Sequence, residues 1–432
     1  MRAFRRRLPA LSLLTAALLA GALPQAAARP AVEAGPAPVP AADAAAAVPG
    51  SGIVVPDSWI VVLKPAALGS APVAGGAVAA TTSTARDLLA RADGARLGHV
   101  YTAALHGFSA RMTRAQAARL AGDPRVARVH RDTRVTVDGA VRTAADAAGS
   151  GTQPHAPWGL DRIDQRLLPL STTYAYRTTA PGVRVYVIDT GLRTTHTEFG
   201  GRASVGTDTV GDGRAGQDCN GHGTHMAGVV GGATHGVAKE ARLVAVRVLD
   251  CQGSGTTAGV IAGIDWVTRN AVRPAVANMS LGGAASAALD AAVRTSIASG
   301  ITYTVAAGGS ARPDGACATS PARVPEAVVA AASDRSDRRA SSSNYGQCVS
   351  LFAPGVGITS AWAANDTATA TLSGTSTAAA HTAGAAALHL AFRPADTPDR
   401  VKQGLVGNAT AGVLQGSPPP VPNRLLHTLY LP

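Results

Sequence analysis

The sequence predicts an α/β protein in which a large parallel-sheet domain follows a small α+β module, and three observations lead there. From Val183 onward, short β-branched and alanine-rich runs alternate with helical patterns, as in a parallel sheet buried on both faces. Between Trp59 and His130 a second, shorter alternation of strand-like and helix-like stretches stands apart. Ala-, Pro- and Gly-rich segments without periodicity separate the units. At 432 residues the chain suits one large domain plus a small one, and its 46% hydrophobic residues suffice for a sizeable core.

In the small unit, residues 59–63 read as a strand, 84–92 as a helix with Leu88 and Leu89 inward, and 106–112 as a half-buried strand. Thr113 is placed to cap a helix over 114–120, and a last strand follows at 126–130. Helices set between strand pairs give the split βαβ, ferredoxin-like arrangement. In the large unit, strands are predicted at 183–188, 243–249, 276–279, 301–306 and 328–332, with helices at 222–230, 257–269, 287–299 and 377–390. Ligands of such sheets bind beyond the carboxyl ends of the strands, and Asp189 stands at one of them.

The N-terminus reads as a secretory signal over 1–28: Arg2, Arg5, Arg6 and Arg7, an apolar run over 8–23, then Ala26, Ala27 and Ala28. A linker covers 29–56, the small module 57–136, a second linker open to proteolytic processing 137–152, and the large domain 153–432. A secreted, extracellular protein without a stable membrane anchor is expected, because no other stretch approaches the roughly 20 apolar residues needed to span a bilayer. The net charge of +12 is almost wholly arginine, with Lys64, Lys239 and Lys402 the only lysines. Its scatter along the chain argues against a nucleic-acid partner. In an oxidising compartment four cysteines point to disulfides, with three pairings open, and no Cys-x-x-Cys pair suggests zinc.

Ser376 lies in Ser373-Gly374-Thr375-Ser376-Thr377, at the start of a predicted helix. There the unpaired N–H groups and the positive end of the helix dipole favour a developing oxyanion. The same residues also describe an ordinary helix cap, so a base and an acid must be found elsewhere. Asn220-Gly221-His222-Gly223-Thr224-His225 sets a histidine between glycines at another helix start, and Asp189-Thr190-Gly191 leaves a carboxylate at a strand end. A serine nucleophile needs a base for its proton and an acid to hold that base's tautomer. Asp189, His222 and Ser376 supply one of each.

With these motifs in this order, and with the stretches Ala156-Pro157-Trp158-Gly159-Leu160-Asp161-Arg162-Ile163-Asp164, Asn278-Met279-Ser280-Leu281-Gly282-Gly283 and Ser343-Asn344-Tyr345-Gly346, residues 157–431 resemble the subtilisin superfamily of serine peptidases. The similarity is to its secreted proteinase K and aqualysin-like branch, and the residues before 138 resemble the inhibitory propeptide of that family. The resemblance implies Ser376 as nucleophile, His222 as proton shuttle and Asp189 as its orienting partner. It implies Gly253, Ser254 and Gly255 facing Ser280, Leu281 and Gly282 as edges between which a peptide lies as an added strand, with Ala307 and Gly308 nearby. It further implies disulfides Cys219–Cys251 and Cys317–Cys348, protein or peptide substrates with a broad apolar or aromatic preference, an autoprocessed monomer, and no cofactor for the chemistry.

The sequence departs from the family at three places. Val305-Ala306-Ala307-Gly308-Gly309-Ser310 has Gly309 where the family has its oxyanion asparagine. Losing one such donor costs on the order of 10²–10³ in kcat, so attenuated activity is expected, with the Ser376 N–H, Thr375 and Ser310 left to assist. A homologue that binds peptides or inhibitors with little turnover is the competing reading. Thr377 and Ala380 replace a methionine and a proline near the nucleophile. Ser350 replaces a calcium-binding aspartate, so a structural calcium ion facing the Pro325 and Ala327 carbonyls is expected to bind weakly. Asp161, Asp164 and Gln165 resemble a second calcium site.

Overall fold

The computed structural model describes residues 52–68, 74–137, 140–142, 151–416 and 421–430, all within one compact unit. The secretory signal and most of both linkers lie outside these residues. The small module runs β1 (Val54–Leu63), α1 (Ala74–Ala90), β2 (Arg96–Tyr101), β3 (Gly107–Arg111), α2 (Arg114–Ala121) and β4 (Val126–Val137). β1 thus begins inside the range read as linker. Thr113 caps α2 in a capping box: its hydroxyl accepts from Gln116 N at 3.3 Å, and the Gln116 side chain accepts from Thr113 N at 2.6 Å.

β1 pairs antiparallel with β3 and β4, and β2 with β3. Successive strand side chains face opposite ways, so the two faces of this sheet serve different cores. Val61 and Phe108 pack with Leu88, Leu89 and Leu120 inside the module. Ile60 and Tyr101, on the other face, join a core built mostly from the large domain.

The large domain continues β5 (Ala140–Arg142), β6 (Thr152–Pro154), α3 (Trp158–Ile163), β7 (Thr173–Ala175), β8 (Arg184–Asp189), β9 (Ala203–Asp208), α4 (His222–Gly231), β10 (Arg242–Arg247), β11 (Ser254–Thr256) and α5 (Thr257–Asn270). It proceeds through β12 (Ala275–Met279), β13 (Leu281–Ala284), α6 (Ala287–Ala298), β14 (Thr302–Ala306), β15 (Thr319–Ser320), β16 (Val328–Ser333) and β17 (Leu351–Pro354). The hairpin β18 (Ile358–Ala361) and β19 (Thr369–Ser373) leads into α7 (Thr375–Phe392), α8 (Pro398–Asn408), β20 (Thr410–Ala411) and β21 (Arg424–Leu425).

The central sheet has the order β20-β21-β17-β16-β14-β12-β8-β10-β9 and is parallel except at β20. α7 is buried on every side from Thr375 to Leu390. Its alanines let α4 and the sheet approach closely, and a helix apolar all round has to sit inside the core. Patterning left β2, β9, β17, the hairpin and α8 unassigned. β9 is an edge strand of weakly apolar residues, and α8 buries only Val401 and Leu405, so neither advertises a period.

One strand does not respect the division into two units. The far end of β4 leaves the module and pairs antiparallel with both β11 and β13, joining them in one sheet.

Candidate active site

β8 ends at the fully buried Asp189, whose Oδ1 accepts from Thr190 N at 2.7 Å. α4 starts at His222 and reaches that strand end because glycines flank the histidine. Gly221 has φ +109°, and a Cβ there would lie 2.4 Å from the Trp362 ring; a Cβ on Gly223 would lie 2.1 Å from Gly191 O. His222 Nδ1 is 2.8 and 3.0 Å from the two Asp189 oxygens. A carboxylate can only accept, so Nδ1 carries the proton and Nε2 keeps its lone pair when the ring is neutral.

Sequence reasoning missed the residue that shapes this loop, Asp218. Its Oδ1 accepts from Thr190 Oγ1, Asn220 N and Gly221 N, each at 2.9 Å, and its Oδ2 from Thr224 N at 2.9 Å and Thr224 Oγ1 at 2.6 Å. Burial nevertheless pushes its carboxyl above the usual range. The available signal was an aspartate shortly before a helix start, where such residues cap. The second histidine of the motif is no competing base. Burial holds His225 down at about 3, and its Nε2 lies 3.0 Å from Ile358 O and 3.1 Å from Ala370 O.

Ser376 is the second residue of α7 and is buried. Its Oγ donates to Ser280 O at 3.1 Å, while Ser280 Oγ donates back to Ser376 O at 2.9 Å and accepts from Asn278 Nδ2 at 2.9 Å. The nucleophile candidate is therefore tied to the segment expected to flank a bound peptide. Beside it, Thr375 Oγ1 accepts from Gly308 N at 2.9 Å. Asn344 organises the adjoining loop, with Nδ2 donating to Ala307 O at 2.9 Å and Oδ1 accepting from Ser310 N at 3.1 Å. Gly309, half-buried in the same loop, brings no side chain to the site.

The cleft between β11 and β13 is filled by β4. Thr136 lies opposite both Ser254 and Gly282, Val135 opposite Gly255 and Gly283, and Val137 opposite Leu281. Val137 N also donates to Gly253 O at 3.1 Å. Beyond the cleft β5 pairs with β19, Ala140 opposite Ser373. The module is further held at α5. Asp132 Oδ1 accepts from Ala258 N at 3.0 Å in its first turn, and buried Asp265 Oδ1 accepts from Thr102 N, Ala103 N and Ala104 N at 2.9, 2.6 and 2.9 Å.

Cys219 is bonded to Cys251 and Cys317 to Cys348. The first bridge ties the loop before His222 to the turn before β11. The metal expectations divide. Asp161 accepts from Ser171 N, Ser171 Oγ and Thr172 N, Gln165 Oε1 from Ser171 N at 3.1 Å, and Asp164 Oδ2 from Ala175 N at 2.5 Å. Asp164 Oδ1 is buried with no partner among the described residues. Burial and the nearby Asp161 charge push Asp164 up to about 6. That orphaned oxygen fits a cation ligand.

The Pro325 and Ala327 carbonyls do not fit one. They accept from Lys402 Nζ at 2.6 and 2.8 Å. Ser350 Oγ accepts from Val329 N at 3.0 Å, committed to the neighbouring strand. An ammonium already holds both carbonyls and, among the described residues, no carboxylate is bonded with them, so this pair does not fit the calcium ion expected there.

Residues 180–423, more than half of the chain, match the family model described as the subtilase family, and residues 58–138 match peptidase inhibitor I9. The chain belongs to the subtilase family. An extracellular serine proteinase of Thermus sp. (strain Rt41A) is 51% identical over 338 residues, spanning 78% of this subtilase and 79% of the relative. A cuticle-degrading serine protease of Arthrobotrys oligospora is 40% identical over 364 residues, 81% of this chain and 84% of that one. The crystal structure of a cold-adapted subtilisin-like serine proteinase superposes with a TM-score of 0.62 at 50% identity, covering 64% of this chain and 99% of the other. This subtilase is a serine-type endopeptidase carrying its own inhibitory propeptide, and among the described residues no helix is long and apolar enough to cross a membrane.

Proposed function

We propose that this subtilase is a secreted endopeptidase that cuts peptide bonds through an acyl-enzyme on Ser376, and that it first cuts itself. The Asp189–His222 pair at 2.8 Å, with His222 opening α4, the helix that packs against α7, carries the reading. Ser376 Oγ turns from Ser280 O to attack the scissile carbonyl, and its proton passes to His222 Nε2. Asp189 holds Nδ1–H and stabilises the imidazolium. The same proton then goes to the leaving amine, and water repeats the sequence to release the acid. The Ser376 N–H at the helix start, with Thr375, is left to hold the oxyanion.

Because β4 enters the cleft as far as Val137 and β5 resumes at Ala140 beside Ser373, self-cleavage falls between Val137 and Ala140. A calcium ion held by Asp161, Asp164 and Gln165 would stabilise the loop after α3 and take no part in the chemistry.

Gly309 favours a second reading, a protease with low turnover. A fluorophosphonate probe separates the two. Labelling of the processed protein that disappears in Ser376→Ala supports the endopeptidase, whereas absence of labelling leaves a peptide-binding homologue. If wild type and Ser376→Ala both persist at full length, self-processing is wrong. N-terminal sequencing of the processed chain reads the cut directly.

A further inference from the structure

Only three lysines occur in the chain, and two of them are anchored on backbone carbonyls. Lys239 Nζ donates to Ala233 O, Thr234 O and Gly236 O at 3.1, 3.3 and 3.1 Å. Lys402 Nζ donates to Pro325 O and Ala327 O at 2.6 and 2.8 Å, the pair on which the resemblance placed a metal ion. We propose that the Lys402 ammonium is the resident cation of the Pro325–Ala327 turn, a tethered replacement for a divalent ion.

Geometry and charge both support the exchange. Lys402 follows Val401 on α8 and precedes Leu405, and both of these side chains are fully buried, which fixes the face of the helix from which the ammonium extends. A lysine ammonium is a compact point charge with three donors, so converging carbonyls suit it much as they suit a metal ion. A calcium ion needs six to eight oxygens. Besides the two carbonyls, the nearby carboxylates are already engaged: Glu326 lies 3.4 Å from Arg294, and Asp399 accepts from Gln403 Nε2 at 2.7 Å. Ser350 offers a hydroxyl already bonded to Val329, and any incoming cation would meet the ammonium's like charge. Burial lowers the Lys402 pKa, while Glu326 and Asp399 support the charged form.

The functional consequence concerns dependence on free ions. A bound metal stabilises by an amount that grows with the logarithm of its free concentration above Kd and vanishes well below it. A tethered ammonium is present at every concentration, so this turn stays fastened in a metal-poor environment.

Thermal unfolding of the full chain in the Ser376→Ala background, which removes self-digestion, tests the assignment. Lys402→Met keeps the apolar stem and removes the charge. In chelator it should unfold roughly 2–4 °C lower than its parent, and calcium should not restore the loss. Lys402→Met with Ser350→Asp rebuilds a carboxylate–carbonyl set, and calcium should raise its unfolding temperature more than it raises the parent's. Any contribution from the Asp161–Asp164 loop is common to all three proteins and cancels. An unchanged unfolding temperature for Lys402→Met in chelator would overturn the proposal, as would a calcium response in the double variant no larger than the parent's. Should Lys402→Met fail to fold, Lys402→Arg serves instead: a preserved unfolding temperature without calcium supports a tethered cation, and a calcium-restored one refutes it.

Discussion

Gly309 is the residue on which the proposed catalytic rate turns. An oxyanion donor acts mainly in the transition state, so restoring one changes kcat more than KM. Gly309→Asn should raise kcat on the order of 10²-fold with KM nearly constant, measured by steady-state hydrolysis of a peptide substrate. An unchanged kcat would mean that Thr375 or the Ser376 N–H already saturates the site. The candidate catalytic residues were legible because each sits in a short motif whose glycines have a local steric purpose, as at Gly221 and Gly223. Asp218 was not legible. Its five donors come from Thr190, Asn220, Gly221 and Thr224, and only folding gathers the first of these beside the others.

At the level of elements, α5 is the support on which the propeptide rests. Asp265 lies within the helix, yet its carboxylate faces three consecutive backbone amides of the loop between β2 and β3. Bonds to a buried charge contribute about 1.5–3 kcal/mol each, though not additively. Asp265→Ala should therefore speed release of the processed propeptide on the order of 10–100-fold, followed as the lag before full activity appears. A lag equal to wild type would place the inhibitory contact wholly in β4. The strand pattern over 126–130 predicted β4 but stopped short of its far end, because residues 134–137 find their pairing partners in β11 and β13 rather than in the module. Edge pairing of this kind leaves little trace in hydrophobic period.

Across the whole molecule, charged and covalent ties hold distant segments. Glu198 Oε2 accepts from Thr234 N and His235 N at 2.9 and 3.2 Å, and His235 Nδ1 lies 3.4 Å from Oε1. Burial alone would raise its pKa, but His235 and the Thr234 bonds hold it down at about 2, below the usual 4.5. With the folded pKa depressed, its stabilisation is present above the unfolded value and is lost as pH falls from about 4.5 toward about 2. Glu198→Gln should flatten the fall of unfolding temperature across that window, and an unchanged slope would assign acid sensitivity to other carboxylates. The two disulfides close segments with sequence separations of 32 and 31. Replacing Cys219 and Cys251 by serine should cost about 2–4 kcal/mol, read from denaturant midpoints.

The sequence by itself determined the layered α/β architecture, the small module ahead of it and the choice of Asp189, His222 and Ser376 as the candidate triad. Those features are written in local period and short motifs, which survive without knowledge of distant partners. Tertiary structure alone decided what fills the cleft, what holds the propeptide and which cation holds the Pro325–Ala327 turn. Each depends on residues far apart in the chain, such as Lys402 and Ala327 or Asp265 and Thr102, whose meeting is fixed by packing and has no signature in either segment taken alone.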